Sequence, residues 1–316
     1  MDSRNKPGHD GRKRQFKCAS PGEGSPVTEL LHQLASGLAL GGVYAITALA
    51  LVMIFQATQL VNFAQGEMAM FSTYIAWAML QNGWSYWAAF ASAVVLSFAG
   101  GVAVERLVVR PFSHAPILAS VIVFIGLSFI FNALAGFFFG YTTQSFDTPF
   151  DGRPWFGNKF MSAHESGSVL VSLIVLALVY LFFRFTPLGL AMRAAAQNPT
   201  SARLVGVRVG WMLALGWGLA AAIGAVAGMM AAPIVYLDPN MMGGILLYAF
   251  AGAVLGGIDN PWGAVVGGFT VGVAENLLGA YVVGEEVKLS VALVIIIGVL
   301  VAKPSGLFGR RIVARV

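Results

Sequence analysis

Nine apolar stretches, most of them near the roughly 20 residues that a helix needs to cross a bilayer, run through this 316-residue chain. They lie at about 30–56, 60–80, 84–109, 117–140, 168–186, 211–236, 242–258, 261–283 and 287–303. At bilayer depth no water satisfies a backbone amide, so such stretches fold as helices. Charged residues make up 10% of the chain, against about 25% in a soluble domain. The chain therefore reads as an all-α integral membrane protein. Its single cysteine, Cys18, lies in a polar segment, which excludes a disulfide framework.

The net charge of +5 is no sign of nucleic-acid binding, because the basic residues sit in the N-terminal tail and at the ends of apolar segments. Residues 1–27 are polar, basic and rich in Gly and Pro; they read as a disordered cytoplasmic tail that the 28–311 membrane domain does not need. Residues 312–316 form a short C-terminal tail. Sixteen of the 19 basic residues fall in the N-terminal tail, at Arg106 and Arg110, in the run Arg184, Arg193, Arg203 and Arg208, or near the C-terminus at Lys303, Arg310, Arg311 and Arg315. The positive-inside rule then places those segments and both termini in the cytoplasm. A full crossing by residues 60–80 would deliver Arg106 and Arg110 to the opposite side. The expected resolution is about eight transmembrane helices plus a re-entrant or broken segment at 60–80.

That segment opens with "NFAQGEMAM", which places Asn62, Gln65 and Glu67 among apolar neighbours. Irregular backbone at membrane depth survives only where protein buries it or a watery cavity meets it. These three residues are the candidates for a translocation path, or for the groups that hold its broken segment. In the second half, "AFAGAVLGGIDNPWGAVVGG" (249–268) is interrupted at Asp259, Asn260 and Pro261. Paired interruptions point to a weak two-repeat organisation.

GxxxG pairs occur at Gly37/Gly41, Gly136/Gly140, Gly224/Gly228, Gly252/Gly256, Gly263/Gly267 and Gly268/Gly272, where they let helix backbones approach. Glu105 and Arg106 read as an interfacial pair. Glu275, beside Asn276, is either a helix-to-helix polar contact or a further group on the path. His9, His32, His114 and His164 lack metal-ligand spacing, and no HExxH, GxSxG or phosphate-loop motif occurs. No catalytic or metal site is expected, and the chain itself is expected to bind no cofactor.

The loop "RFTPLGLAMRAAAQNPTSARLVGVRVGW", 184–211, holds four arginines and no acid. Ala194, Ala195 and Ala196 favour helix, Pro199 bends or restarts it, and Gly206 permits a left-handed turn or a close backbone approach. Leu204 and Val205 need a cover. A docking element for a cytoplasmic partner is the functional reading; a solvated basic loop is the plain one.

At this loop the chain resembles the coupling element of ABC importer permeases, with Arg193, Ala194, Ala195 and Ala196 followed by Gly206, although the glutamate of that element is absent. "GLALGGVYAITALALVMIFQATQLVNFAQGEMAMFSTY", the 249–268 stretch and the terminal "KPSGLFGR" resemble the permeases of high-affinity branched-chain amino acid importers over residues 28–311. The resemblance implies a bacterial inner-membrane subunit that forms a path with a second, homologous permease. Two ATPase subunits would hydrolyse ATP, and a periplasmic binding protein would deliver substrate. The coupling loop would be 187–209, with Arg193, Ala194, Ala195, Ala196, Gln197, Asn198, Pro199, Leu204 and Gly206 in it. Two alternatives stay open: a stand-alone secondary transporter or channel, and an importer of the same family for urea or short amides.

Overall fold

The computed structural model describes residues 26–112, 115–150, 161–284, 287–303 and 305–309. Arg153, Lys159, His114, the tail before residue 26 and the basic residues after 309, all used in the sequence expectations, lie outside them. Eleven α-helices are present among the described residues: α1 (Pro26–Thr58), α2 (Gln65–Gln81), α3 (Tyr86–Val104), α4 (Ile117–Phe139), α5 (Ala163–Phe185), α6 (Pro187–Gln197), α7 (Pro199–Leu204), α8 (Val209–Val235), α9 (Met241–Gly256), α10 (Pro261–Leu278) and α11 (Lys288–Ala302). Six spans built on α1, α3, α4, α5, α8 and α10 are long and apolar enough to cross a membrane, and α9 and α11 are shorter apolar helices. The ninth helix of the bundle is α2, at 17 residues or about 25 Å.

Local sequence explains the boundaries. Pro187, Pro199 and Pro261 each open a helix at a position where no intrahelical donor is needed. Thr186, Asn198 and Asn260 cap those helices, accepting the amides of Gly189, Ser201 and Trp262. Ser162 and Glu165 form a reciprocal capping box at the start of α5.

Hydrogen bonds fix which helix ends share a face. On one face Gln56 Nε2 donates to the Asp259 carbonyl, and Asn260 Nδ2 donates to the Phe308 carbonyl. The ends of α1 and α5 meet α6 and the start of α8 there, around Met53, Phe183, Arg193 and Leu213. On the far face Ser36 Oγ donates to Glu165 at 2.6 Å, Asn276 Nδ2 donates to the Gln33 carbonyl, and Gln144 pairs with Leu237. Helices α1 and α5 therefore run parallel, and the Pro26 end of α1 lies opposite the α6–α7 face.

The broken segment at 60–80 is as expected, but the placement of the described chain ends is not. The chain leaves α1 on the α6–α7 face. It then returns to the far face through 59–64 and α2, so the 60–80 segment joins the two faces as a broken span. The described chain ends lie on opposite faces, not on one. The parity conflict came from weighing the tail's six basic residues together with the interhelix loops. Arg110, Arg184, Arg193, Arg203, Arg208 and Lys303 all gather at the α6–α7 face without them.

Two inverted halves are visible. Helix α1 packs along α10 as α8 packs along α3; α1 meets α8, and α2 meets α9. Both α3 and α10 run into a π-helical turn, Glu105–Val109 and Gly279–Val283. The breaks correspond as well, at 59–64 and 236–240. The second break is thus not at Asp259–Pro261, which is a turn between α9 and α10. The glycines around it serve packing instead: a Cβ on Gly252 would lie 2.7 Å from the Gly268 backbone, and one on Gly256 would strike the Gly263 carbonyl. Gly37 and Gly41 likewise lie against the α10 backbone. The Gly136/Gly140 pair does not fit the packing reading. Gly136 faces its own neighbour Tyr141, and Gly140 ends α4 with φ at 81°.

Candidate functional site: the broken spans and the α6–α7 module

Helix α2 starts inside the bundle. Gln65 is fully buried, and its Nε2 donates to the Ala220 carbonyl at 2.9 Å, while its Oε1 has no partner. Ala220 lies well inside α8, so the first turn of α2 sits far from either face. Asn62 is also fully buried; its Oδ1 accepts the Ala64 amide and its Nδ2 is unpartnered. A polar atom left unpaired at this depth costs about 1–3 kcal/mol. Both therefore mark places where a polar ligand group would be welcome.

Glu67, half-buried, points to the second break. Asn132 Nδ2, from the middle of α4, lies 3.4 Å from Glu67 Oε2, 2.8 Å from the Pro239 carbonyl and 3.2 Å from Asn240 Oδ1. One amide thus joins the first turn of α2 to the entry of α9. Gly66 brings the two helices together, because a Cβ there would lie 3.3–3.4 Å from Leu246 and Met242. Two helix N-termini, each with a partial positive charge, converge on this point. The sequence reading missed Asn132 and Asn240. The signal for Asn132 was available: it is the lone amide in the apolar run "ILASVIVFIGLSFIFNALAGFFF".

Glu275 does not join this group. It accepts the Tyr44 hydroxyl at 2.9 Å, and Tyr44 stacks on Tyr248 with ring centres 5.0 Å apart. It ties α10 to α1, the helix-to-helix reading. Glu105 is 3% exposed and has Arg106 Nε at 3.5 Å, while the Arg106 side chain is 27% exposed. The Arg106 guanidinium lies over the Trp211 ring at 3.8 Å, which pins it to α8.

Between Thr186 and Val209 the chain forms a compact module. Ala195, Ala202 and Val209 pack into a small core of their own, against Ala194, Val207, Met212 and Leu213. Asn198 ends α6 and caps α7, and Pro199 is the first residue of α7. The C-terminus of α7 is closed by paired bonds, Val207 amide to Ala202 carbonyl and Gly206 amide to Arg203 carbonyl, with Gly206 at φ +84°. Nothing stands within 4 Å of a Cβ at Gly206, so the left-handed turn is what requires glycine and no close approach occurs. Arg193, Gln197, Asn198, Pro199, Arg203 and Arg208 are exposed; Ala196 is half-buried. Leu204 and Val205 are 85% and 77% exposed, side by side at the rim.

Residues 33–300 match the family model described as "Branched-chain amino acid transport system / permease component". The chain belongs to that family. LivH, the high-affinity branched-chain amino acid transport system permease protein of Escherichia coli, is 30% identical to this permease over 90% of its length and 97% of LivH. BraD of Pseudomonas aeruginosa, described in the same terms, is 31% identical over 92% of this chain and 99% of its own. The probable LivH of Methanocaldococcus jannaschii is 26% identical over 90% and 96%. The solved structure "PsaBC from Streptococcus pneumoniae in complex with Fab" shares the fold, with a TM-score of 0.50 at 13% identity over 88% of this permease and 97% of that chain. The chain is thus a transport permease of the ABC type, and its helices are built for a membrane.

Proposed function

We propose that the permease is one membrane half of an ATP-driven importer of branched-chain amino acids, and that α6–α7 receives the ATPase. The observation that carries this reading is the module itself. It is held by its own small core and two capped helices, yet it presents Leu204, Val205 and exposed arginines that no other described residue covers. The basic loop residues on the same face support a cytoplasmic placement for it, by the positive-inside rule. The far face, where α1 begins, is then periplasmic and receives the substrate-binding protein. A second, homologous permease completes the path, two ATPase subunits use the ATP, and this chain binds no cofactor.

Within this half, the path passes Asn62, Gln65 and Glu67 with Asn132 and Asn240. Their support is two unpartnered buried amide atoms and two converging helix N-termini, a setting suited to a polar solute passing between apolar walls.

The test is reconstitution with the second permease, the ATPase and the binding protein. ATP-dependent uptake of leucine, isoleucine or valine, and copurification of the ATPase with this chain, are the expected results. Uptake of urea or acetamide in place of leucine would reassign the substrate. Uptake without ATP or ATPase would make the chain a stand-alone transporter.

A further inference from the structure

A cavity lies at the α6–α7 face, beside the first break, whose Leu60 lines it. It holds about 210 Å³, some seven waters' worth of space, between the end of α3, the start of α4 and the first turns of α8. That is below the usual range for drug-sized ligands and suits a molecule of amino-acid size. Its lining is two-natured. Leu60, Val109, Val123, Phe124 and Leu213 supply an apolar wall, while Glu105, Arg110, Ser120 and Trp217 supply polar groups.

Two of those polar groups are buried and unsatisfied. Trp217 is 0% exposed and its indole N–H has no acceptor. Glu105 Oε2 has no hydrogen-bond donor, since Arg106 Nε at 3.5 Å lacks the geometry for one. The π-helical turn explains the pairing of charges. The Arg110 amide bonds back to the Glu105 carbonyl, so the extra residue in the turn stacks position 110 over position 105. A π-turn is rare and tends to occur at functional sites. An acid, a base and an indole donor around an apolar wall match a zwitterion that carries an aliphatic side chain. The ammonium would meet Glu105, and the carboxylate would meet Arg110 and Trp217.

We propose that this cavity binds a free aliphatic amino acid from the α6–α7 face, and that its occupancy slows import. The proposal rests on the importer reading for its substrate class. The route to transport is short: Leu213 lines this cavity and also the crevice where Met192, Arg193 and Ala195 of α6 meet α8. A ligand wedged between α4 and α8 therefore bears on the seat of α6.

Equilibrium dialysis of tritiated L-leucine against the purified full-length chain tests the site without the other subunits. Saturable binding is expected, weakened about tenfold by Glu105→Gln and severalfold by Trp217→Phe, both near-isosteric. Isocaproate and isoamylamine, each lacking one charge, should compete about tenfold less well. No saturable binding to the monodisperse parent, or binding unchanged in both variants, overturns the site. In reconstituted vesicles, leucine supplied on the α6–α7 side should cut the initial rate about fivefold in the parent and have little effect in Glu105→Gln, with equal rates from empty vesicles. Equal inhibition in parent and variant overturns the regulatory role. Empty vesicles that import no amino acid would sink the importer reading instead, and dialysis would still decide the cavity.

Discussion

Gln59 and Tyr236 occupy equivalent places in the two halves. Each stands one residue past a long helix, and each holds a left-handed backbone, with φ at 59° and 63°. A non-glycine residue costs about 1–3 kcal/mol there, and such strain persists only where the surroundings impose it. Both residues turn the chain into an irregular stretch that ends at the start of a buried helix.

The strain at Gln59 is testable because its side chain is exposed and makes only long hydrogen bonds, at 3.4 and 3.5 Å. Gln59→Gly should raise Tm by a few degrees or leave it unchanged, whereas Gln59→Val should lower it. Thermal unfolding in detergent measures both. A fall for glycine as large as that for valine would mean that the backbone is unstrained.

Asn132 should matter to transport beyond its effect on folding. Asn132→Leu keeps the bulk and removes the bridge between Glu67 and the second break. Uptake is expected to fall about tenfold or more, with the protein still inserted and monodisperse. Glu67→Gln preserves shape and should cost less than Glu67→Ala. Uptake unchanged in Asn132→Leu and in both Glu67 variants would remove this cluster from the path.

The α6–α7 module should fail in two separable ways. Ala195→Glu puts a charge into the small core with Ala202 and Val209, so it should loosen the module itself. Leu204→Asp, with Val205→Asp, leaves that core intact and changes only the exposed rim. Both should release the ATPase in pull-down and stop uptake. Only Ala195→Glu should raise proteolysis within 187–209. Full ATPase retention in the rim variant would return these residues to a solvated loop.

Orientation is read by cysteine labelling after Cys18→Ser. Cysteines at Asn198 and Lys303 should react from the same side, and one at Val27, which is exposed, from the other. Labelling of Val27 and Asn198 from one side would restore the even count of crossings.

The sequence showed the α6–α7 module clearly, because Ala194–Ala196 favour helix, Pro199 restarts it and Gly206 turns the chain, all signals that act locally. The first break was legible for a similar reason: Asn62, Gln65 and Glu67 are conspicuous among apolar residues. The second break was overlooked although Asp238, Pro239 and Asn240 interrupt the apolar run there, because the glycines of 249–268 drew attention to a turn whose backbone packing needs them. Asn132 stood out as the lone amide of its spanning run, but its meaning depends on α2 and α9 arriving beside it. The direction of α1 was misread because positive-inside counting gave the terminal tail equal standing with the loops, whereas Ser36–Glu165 and Gln33–Asn276 are contacts that charge counting does not see.

The glycine seam has a mechanical consequence. Where α1, α9 and α10 touch backbone to backbone, there are no flexible side chains to yield, and sliding by a fraction of an ångström brings main-chain atoms into collision. These three helices can move only as one stiff block. Helix α5 leans on that block through smaller contacts, Gly42 with Ser172 and Ser36 with Glu165, and it continues past Thr186 directly into α6. If the ATPase docks at α6 as proposed, a push there would meet a stiff wall on one side and the more loosely packed α5 on the other, and would act by tilting α5.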